Sequence, residues 1–165
     1  FSKKLCGKYR PGHFRGVLDV VNRLLEILKP KYMVLGKKDF QQLFLIRKHI
    51  IKNNIKTSII AHKTVRNQNF IPYSSRNFNL SKYDKILASK VFKTLRNEKL
   101  LIKRKKIKKI NLLSVKNKIL KMGIKKVDYI EALNLKSFKK AKKFNENFNI
   151  FSAFYIGNVR LIDNF

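Results

Sequence analysis

Apolar residues recur at every third or fourth position between Gly16 and Lys29. Val17, Val20, Val21, Leu24, Leu25 and Leu28 form the apolar stripe, Asp19, Arg23 and Glu26 lie between them, and Pro30 ends the run. This period predicts an amphipathic helix. The uninterrupted apolar stretch Tyr32–Leu35 is too short for a helix and reads as a buried parallel strand. Helical spacing returns over 39–53 through Phe40, Leu43, Phe44, Ile46 and Ile50, and a second short strand is expected from Thr57 to Ala61. Helix, strand, helix, strand with short joints predicts a parallel sheet flanked by helices.

From Asn67 to Asn79 the periodicity gives way to a polar loop. Ser81 and Asp84 then have the spacing of a capping box, opening a helix expected to reach about Asn97. The charge run KRKKIKKI, Lys103 to Ile110, reads as a solvated face or linker. A helix around Leu113–Met122, a strand around Val127–Leu133 and a β-rich end over Ile150–Ile162 follow. The expected class is α/β, with the back half of one α/β domain over residues 1–73 and a small α+β domain over residues 74–165.

Composition changes this picture in one respect. The chain has 165 residues and 44% hydrophobic content, enough for a core, but its 40 Lys+Arg against 9 Asp+Glu give a formal charge of +31. Such an excess raises a basic nucleic-acid-binding module as an alternative function. Compositional drift in an AT-rich genome is the preferred explanation, because the excess is mostly lysine and comes with many asparagines, isoleucines and phenylalanines. Cys6 is the single cysteine, so no intrachain disulfide forms and a reducing, cytoplasmic setting is expected. No apolar run is long enough to span a bilayer, and the N-terminal stretch lacks the apolar core of a signal peptide. The sequence starts at Phe1, with Met33 and Met122 its only methionines, and so reads as part of a longer translation product.

Candidate chemistry gathers at the end of the first strand. In open parallel sheets, ligands bind outside the carboxyl ends of the strands, where helix N-termini present N–H groups and partial positive charge. The segment Gly36-Lys37-Lys38-Asp39 falls at such an end: a glycine for a close turn, lysines to meet phosphate as point charges, and an aspartate to cap the helix or accept from a ribose hydroxyl. Ser74-Ser75-Arg76-Asn77 follows the next strand, and two hydroxyls with a guanidinium fork suit a triphosphate. His13 and Arg15 sit just before a predicted helix N-terminus, which suits an anion. His49 and His62 have no metal-ligand spacing, and no metal site is expected.

Four segments in order, RPGHFRGV from Arg10, GKKDFQQLFLIRK from Gly36, YSSRN from Tyr73 and VRLIDN from Val159, resemble the second half of the pantothenate synthetase, or pantoate-beta-alanine ligase, family. The resemblance implies a Rossmann-like nucleotidyltransferase domain for the first part of the chain and a small lid domain for the second. It implies an AMP-forming ligase that condenses pantoate with beta-alanine through pantoyl adenylate, releasing pyrophosphate, with ATP as substrate and Mg2+ carried on its phosphates. Gly36, Lys37, Lys38 and Asp39 then match the ATP-binding segment, with Lys38 the catalytic lysine, and Gln42 matches a pantoate-binding glutamine. Val65 matches the position whose backbone flanks adenine, and Tyr73, Ser74, Ser75 and Arg76 match a mobile phosphate loop. The implied partners are pantoate, beta-alanine, ATP and a second copy in a homodimer, with no specific nucleic acid and no membrane.

This sequence departs from the family at three places. Lys37 stands where an acidic residue or glutamine is usual, and Asn69-Phe70 stands where the loop usually reads Asp-Gly. The family's N-terminal segment, with its HxGH-type motif and proton-donor histidine, has no counterpart. The chain is therefore expected to correspond to the C-terminal portion of the enzyme and to be inactive alone, whether as a fragment or as a decayed remnant.

Overall fold

The computed structural model describes residues 4–165. They form two compact units, divided between Thr64 and Val65. The sequence reading puts the division after Tyr73, whereas Ile71 is buried in the core of the second unit.

In the first unit a short turn of helix, α1 (Cys6–Tyr9), precedes α2 (His13–Leu28), β1 (Tyr32–Gly36), α3 (Phe40–Lys52) and β2 (Ser58–His62). Helix α2 starts after Gly12, at φ 77°, a left-handed conformation that glycine adopts without steric cost. It therefore begins at His13 rather than Gly16, and His13 and Arg15 lie inside its first turn. Strands β1 and β2 pair in parallel with Gly36 opposite His62, so both end at one edge.

The apolar stripe of α2 divides in two. Val17, Leu18, Val21 and Leu25 pack with Ile46 and Ile50 of α3 and with Met33, Leu35 and Ile59 of the sheet. Val20, Leu24, Ile27 and Leu28 face outward, Ile27 at 77% exposure. The strands are half-buried rather than buried, because α2 and α3 both pack their apolar residues against Met33, Leu35 and Ile59. The residues that alternate with these, Val34 at 65% and Ile60 at 48% exposure, are left open.

The second unit contains α4 (Lys82–Arg104), α5 (Leu113–Lys121), β3 (Lys126–Asn134), β4 (Phe148–Ile156) and β5 (Val159–Asn164), the strands antiparallel in that order. The capping box is formed, with the Asp84 N–H donating to Ser81 Oγ and the Ser81 N–H donating to the Asp84 carboxylate, each at 3.1 Å. Helix α4 runs past the expected Asn97 because Ala88, Val91, Phe92, Leu95 and Ile102 keep the helical period into the core. The lysine-rich run that follows is anchored by the partly buried Ile107 and Ile110 and leaves its lysines outside. Strand β4 is central, with Ile150, Ser152, Ala153 and Phe154 all fully buried.

Gly36 needs none of glycine's freedom. Its φ of −75° and ψ of 134° suit any residue, and an added Cβ would meet nothing within 4 Å. Gly36→Ala is accordingly expected to leave the unfolding free energy unchanged or raise it by about 0.4–1 kcal/mol through the unfolded chain. Denaturant titration checks this, and a loss above about 1 kcal/mol would mean that the fold itself requires the glycine.

Lys99 supplies a pH test. Its ammonium donates to Asn149 Oδ1 at 2.7 Å and shares the Phe148 ring with Lys103. Burial, and then the charge of Lys103, lower its pKa from 10.5 to about 8. Between those two values the unfolded chain holds the proton that the folded chain has shed, so stability contributed by Lys99 rises with pH and is lost again as pH falls through about 8. Melts at pH values on both sides of this window should show the parent chain gaining stability relative to Lys99→Met. Parallel profiles would remove Lys99 as the cause.

Candidate functional site

At the carboxyl edge of β1 the chain turns through a 3-10 segment, Lys37–Asp39, directly into α3. The two lysines differ. Lys37 is exposed, whereas the Lys38 side chain is only 19% exposed and its ammonium lies 3.8 Å from the Asp39 carboxylate, itself 49% exposed. Asp39 makes no capping hydrogen bond, so the capping role is not used, and its carboxylate stays at the edge beside Lys38.

The adjacent glutamines separate in the same way. Gln41 is buried and committed to structure, its Oε1 accepting from the Cys6 N–H at 3.1 Å and its Nε2 donating to the Lys4 carbonyl at 2.8 Å. Gln42 is half-buried in the first turn of α3, and its side-chain amide has no partner among the described residues. One glutamine holds the N-terminal turn in place; the other remains available to a ligand. Gly36, Lys37, Lys38, Asp39 and Gln42 thus share one edge of the first unit.

The histidines are accounted for locally. His13 Nε2 lies 2.8 Å from an Arg10 guanidinium nitrogen, and His49 Nε2 lies 2.8 Å from Asn22 Oδ1, tying α3 to α2. His62 Nδ1 contacts the Lys63 carbonyl. Among the described residues, no group of three or more His, Cys, Asp and Glu has the arrangement of a metal site.

The remaining candidates lie together in the second unit. Val65 and Tyr73 form the mouth of a narrow loop, the Tyr73 N–H donating to the Val65 carbonyl at 3.1 Å, with Arg66 bridged to Pro72 one step inside. Asn67 closes the tip, its backbone and side chain both bonded to Ile71. Phe70 sits there at φ 68°, in the left-handed region where a non-glycine residue is strained. Its ring compensates: the guanidinium groups of Arg66 and Arg96 lie 4.4 and 5.1 Å from its centroid, and Phe165 stacks on it at 5.9 Å. Phenylalanine in place of the usual glycine therefore pins the loop by its side chain.

From that loop Ser74 leads into a 3-10 turn, Ser75–Asn79, its Oγ accepting from the Arg76 N–H at 3.3 Å. Tyr73 and Ser75 are exposed and Arg76 is half-buried. One Arg76 nitrogen donates to the Arg160 carbonyl at 3.2 Å, and the rest of the fork has no partner among the described residues.

Arg66 was invisible to motif reasoning. It makes a bidentate pair with Asp163, at 2.6 and 3.0 Å, and the Asp163 side chain has 0% exposure. Asp163 falls within the VRLIDN segment and Arg66 in none of the four, and a pair 97 residues apart leaves no spacing signal.

The sequence profile of the family described as Pantoate-beta-alanine ligase matches residues 1–165. Pantothenate synthetase from Francisella tularensis subsp. novicida is 42% identical over 161 residues, which is 98% of this chain and 53% of that protein. A solved pantoate-beta-alanine ligase from Francisella tularensis, complexed with beta-gamma ATP and beta-alanine, superposes with a TM-score of 0.78 at 42% identity over 99% of this chain and 54% of that one. The corresponding structure from Thermus thermophilus shares the fold, with a TM-score of 0.89 at 24% identity over 99% of this chain and 59% of that one. The chain spans about half the length of the curated relatives it matches. With the profile matched across its whole length, the chain belongs to the pantoate-beta-alanine ligase family.

Proposed function

We propose that this chain contributes the phosphate-facing and part of the pantoate-facing machinery of a pantoate-beta-alanine ligase. In this reaction a pantoate carboxylate oxygen attacks the α-phosphorus of MgATP and pyrophosphate leaves; the beta-alanine amine then attacks the acyl carbon and AMP leaves. The observation that carries the reading is the division of labour at the β1 edge. Gln42 has no partner among the described residues while its neighbour Gln41 is committed to holding the fold, and the Lys38 ammonium lies 3.8 Å from the Asp39 carboxylate at the same edge.

Lys38, with its stem packed and its ammonium at the strand edge, is assigned to charge developing on the phosphates as adenylate forms. Asp39 accepts from a ribose hydroxyl, and Gln42 can donate to the pantoate carboxylate or accept from its hydroxyl. Val65 is assigned to adenine through its backbone, and Tyr73, Ser74, Ser75 and Arg76 to the phosphates, where a planar guanidinium fork matches oxyanion geometry. Mg2+ enters with ATP. A homodimer and a cytoplasmic setting complete the proposal, and among the described residues no helix is long and apolar enough to cross a membrane.

Pyrophosphate release with MgATP and pantoate tests this. The chain alone is expected to release none, and its fusion to the additional segment of the Francisella relative is expected to turn over. In that fusion Lys38→Met should slow adenylation by about 10²-fold or more, as loss of an oxyanion donor does, while the exposed Lys37→Met costs far less. Equal losses at both lysines would contradict the assignment. Arg76→Ala should raise the ATP requirement and leave pantoate affinity unchanged; a selective loss of pantoate affinity would move Arg76 to the other substrate.

A further inference from the structure

The second unit carries an open groove of about 500 Å³ that includes none of the candidate site residues. Three segments form it: the start of α4 with Tyr83 and Leu87, the turn from α5 into β3 with Lys125 and Lys126, and the β4–β5 hairpin with Tyr155 and Ile156. Its size lies in the range of small-molecule pockets. The segments meet for local reasons. The Ser81–Asp84 capping box fixes where α4 begins, Lys126 pairs directly with Tyr155 across the sheet, and Gly123 and Gly157 make the two turns at φ 100° and 54°, where a side chain would be strained.

The polar groups of this groove are uneven in sign. Asp84 is the only carboxylate in its lining, and that carboxylate is taken by the Ser81 N–H at 3.1 Å and the Ser81 hydroxyl at 2.7 Å. The other polar heads are the Lys125 and Lys126 ammonium groups, the Tyr83 and Tyr155 hydroxyls and the Asn158 amide, and none of them has a hydrogen-bond partner among the described residues. Apolar area lies beside these donors. Ile156 is buried and Leu87 half-buried, the Tyr155 ring is engaged by the Lys126 ammonium 4.6 Å from its centroid, and Tyr83, at 74% exposure, offers a bare aromatic face. Free donors beside apolar surface suit an anion with an apolar body.

We propose that this groove is a second ligand site, one that binds a planar aromatic anion, with the ring against Tyr83, Leu87 and Ile156 and the acidic head among Lys125, Lys126 and Asn158. It stands apart from the assignments of Lys38 and Arg76 and does not depend on them. A phosphate and a carboxylate head meet the same donors, so a nucleoside monophosphate and an aromatic carboxylate share the required chemistry. Lysines on a chain of charge +31 attract any anion, and it is the pairing of lysines with an aromatic face that makes this groove selective.

The test is titration of the full 165-residue chain with 1-naphthoate, followed by its fluorescence and by backbone amide shifts. Saturable binding is expected, with shifts concentrated at Tyr83, Gly123, Lys125, Lys126, Gly157 and Asn158. Lys125→Gln combined with Lys126→Gln should weaken it by about tenfold, as loss of a charged hydrogen bond does. Lys108→Gln combined with Lys109→Gln removes the same charge elsewhere and should leave it unchanged. Tyr83→Ala should weaken binding, and Tyr83→Phe, which keeps the ring, should restore it. All five substituted residues are exposed, so the variants are expected to fold. Displacement of naphthoate by AMP would assign the occupant to nucleoside phosphates, and its retention to aromatic carboxylates. Equal losses for the two lysine pairs, no effect of Tyr83→Ala, or shifts confined to Tyr73–Arg76 or to the 103–110 segment would overturn the proposal.

Discussion

The second unit depends on one interaction, the bidentate pair between Arg66 and the fully buried Asp163. A carboxylate with no exposure is tolerable only if its oxygens are satisfied. Two guanidinium bonds and the Asn164 N–H meet that need. Arg66 in turn lies against both Phe70 and Phe165, which stack on each other, so pairing the acid also orders two aromatic rings. Breaking such a pair by removing one partner typically costs about 3–5 kcal/mol. The loop from Val65 to Tyr73, the left-handed Phe70 and the placement of Ser74–Arg76 all follow from where that pair holds the chain.

The first unit rests on a different constraint. Two parallel strands in register must end together, so the turn after β1 and the start of α3 are presented at one edge. Close packing of α2, α3 and the inward sheet residues makes that edge firm. On this support the side chains sort by necessity: Gln41 satisfies backbone groups of the N-terminal turn, whereas Asp39 makes no capping bond and the Gln42 amide has no partner among the described residues. Gly36, unstrained and open above, leaves room for a ligand to approach the backbone.

Much of this was legible in the sequence, because elements with strong periodicity need little context. The strands at Tyr32 and Ser58, the helices around them and the Ser81–Asp84 box follow from local pattern. Context decided the rest. Periodicity says that α2 is amphipathic but not that Val20, Leu24 and Leu28 lie outside the buried stripe. The length of α4 depends on Ile102 finding the core beyond a charged stretch. The GKKD and SSRN segments stand out as candidate phosphate chemistry because their residues are adjacent in sequence. Arg66–Asp163 and Asp128–Arg160 do not stand out, because long-range ion pairs and a bulge that redirects one carboxylate carry no local signal.

Backbone amide shifts of the 165-residue chain during titration with MgATP test the central claim most directly. The expected result is that perturbations concentrate at Gly36–Asp39 and at Val65 and Tyr73–Arg76, with Gln42 moving further only when pantoate is added. Perturbations confined to the exposed lysines of the 103–110 segment, with the two motif regions still, would contradict it and mark the binding as unspecific attraction of an anion to a basic chain.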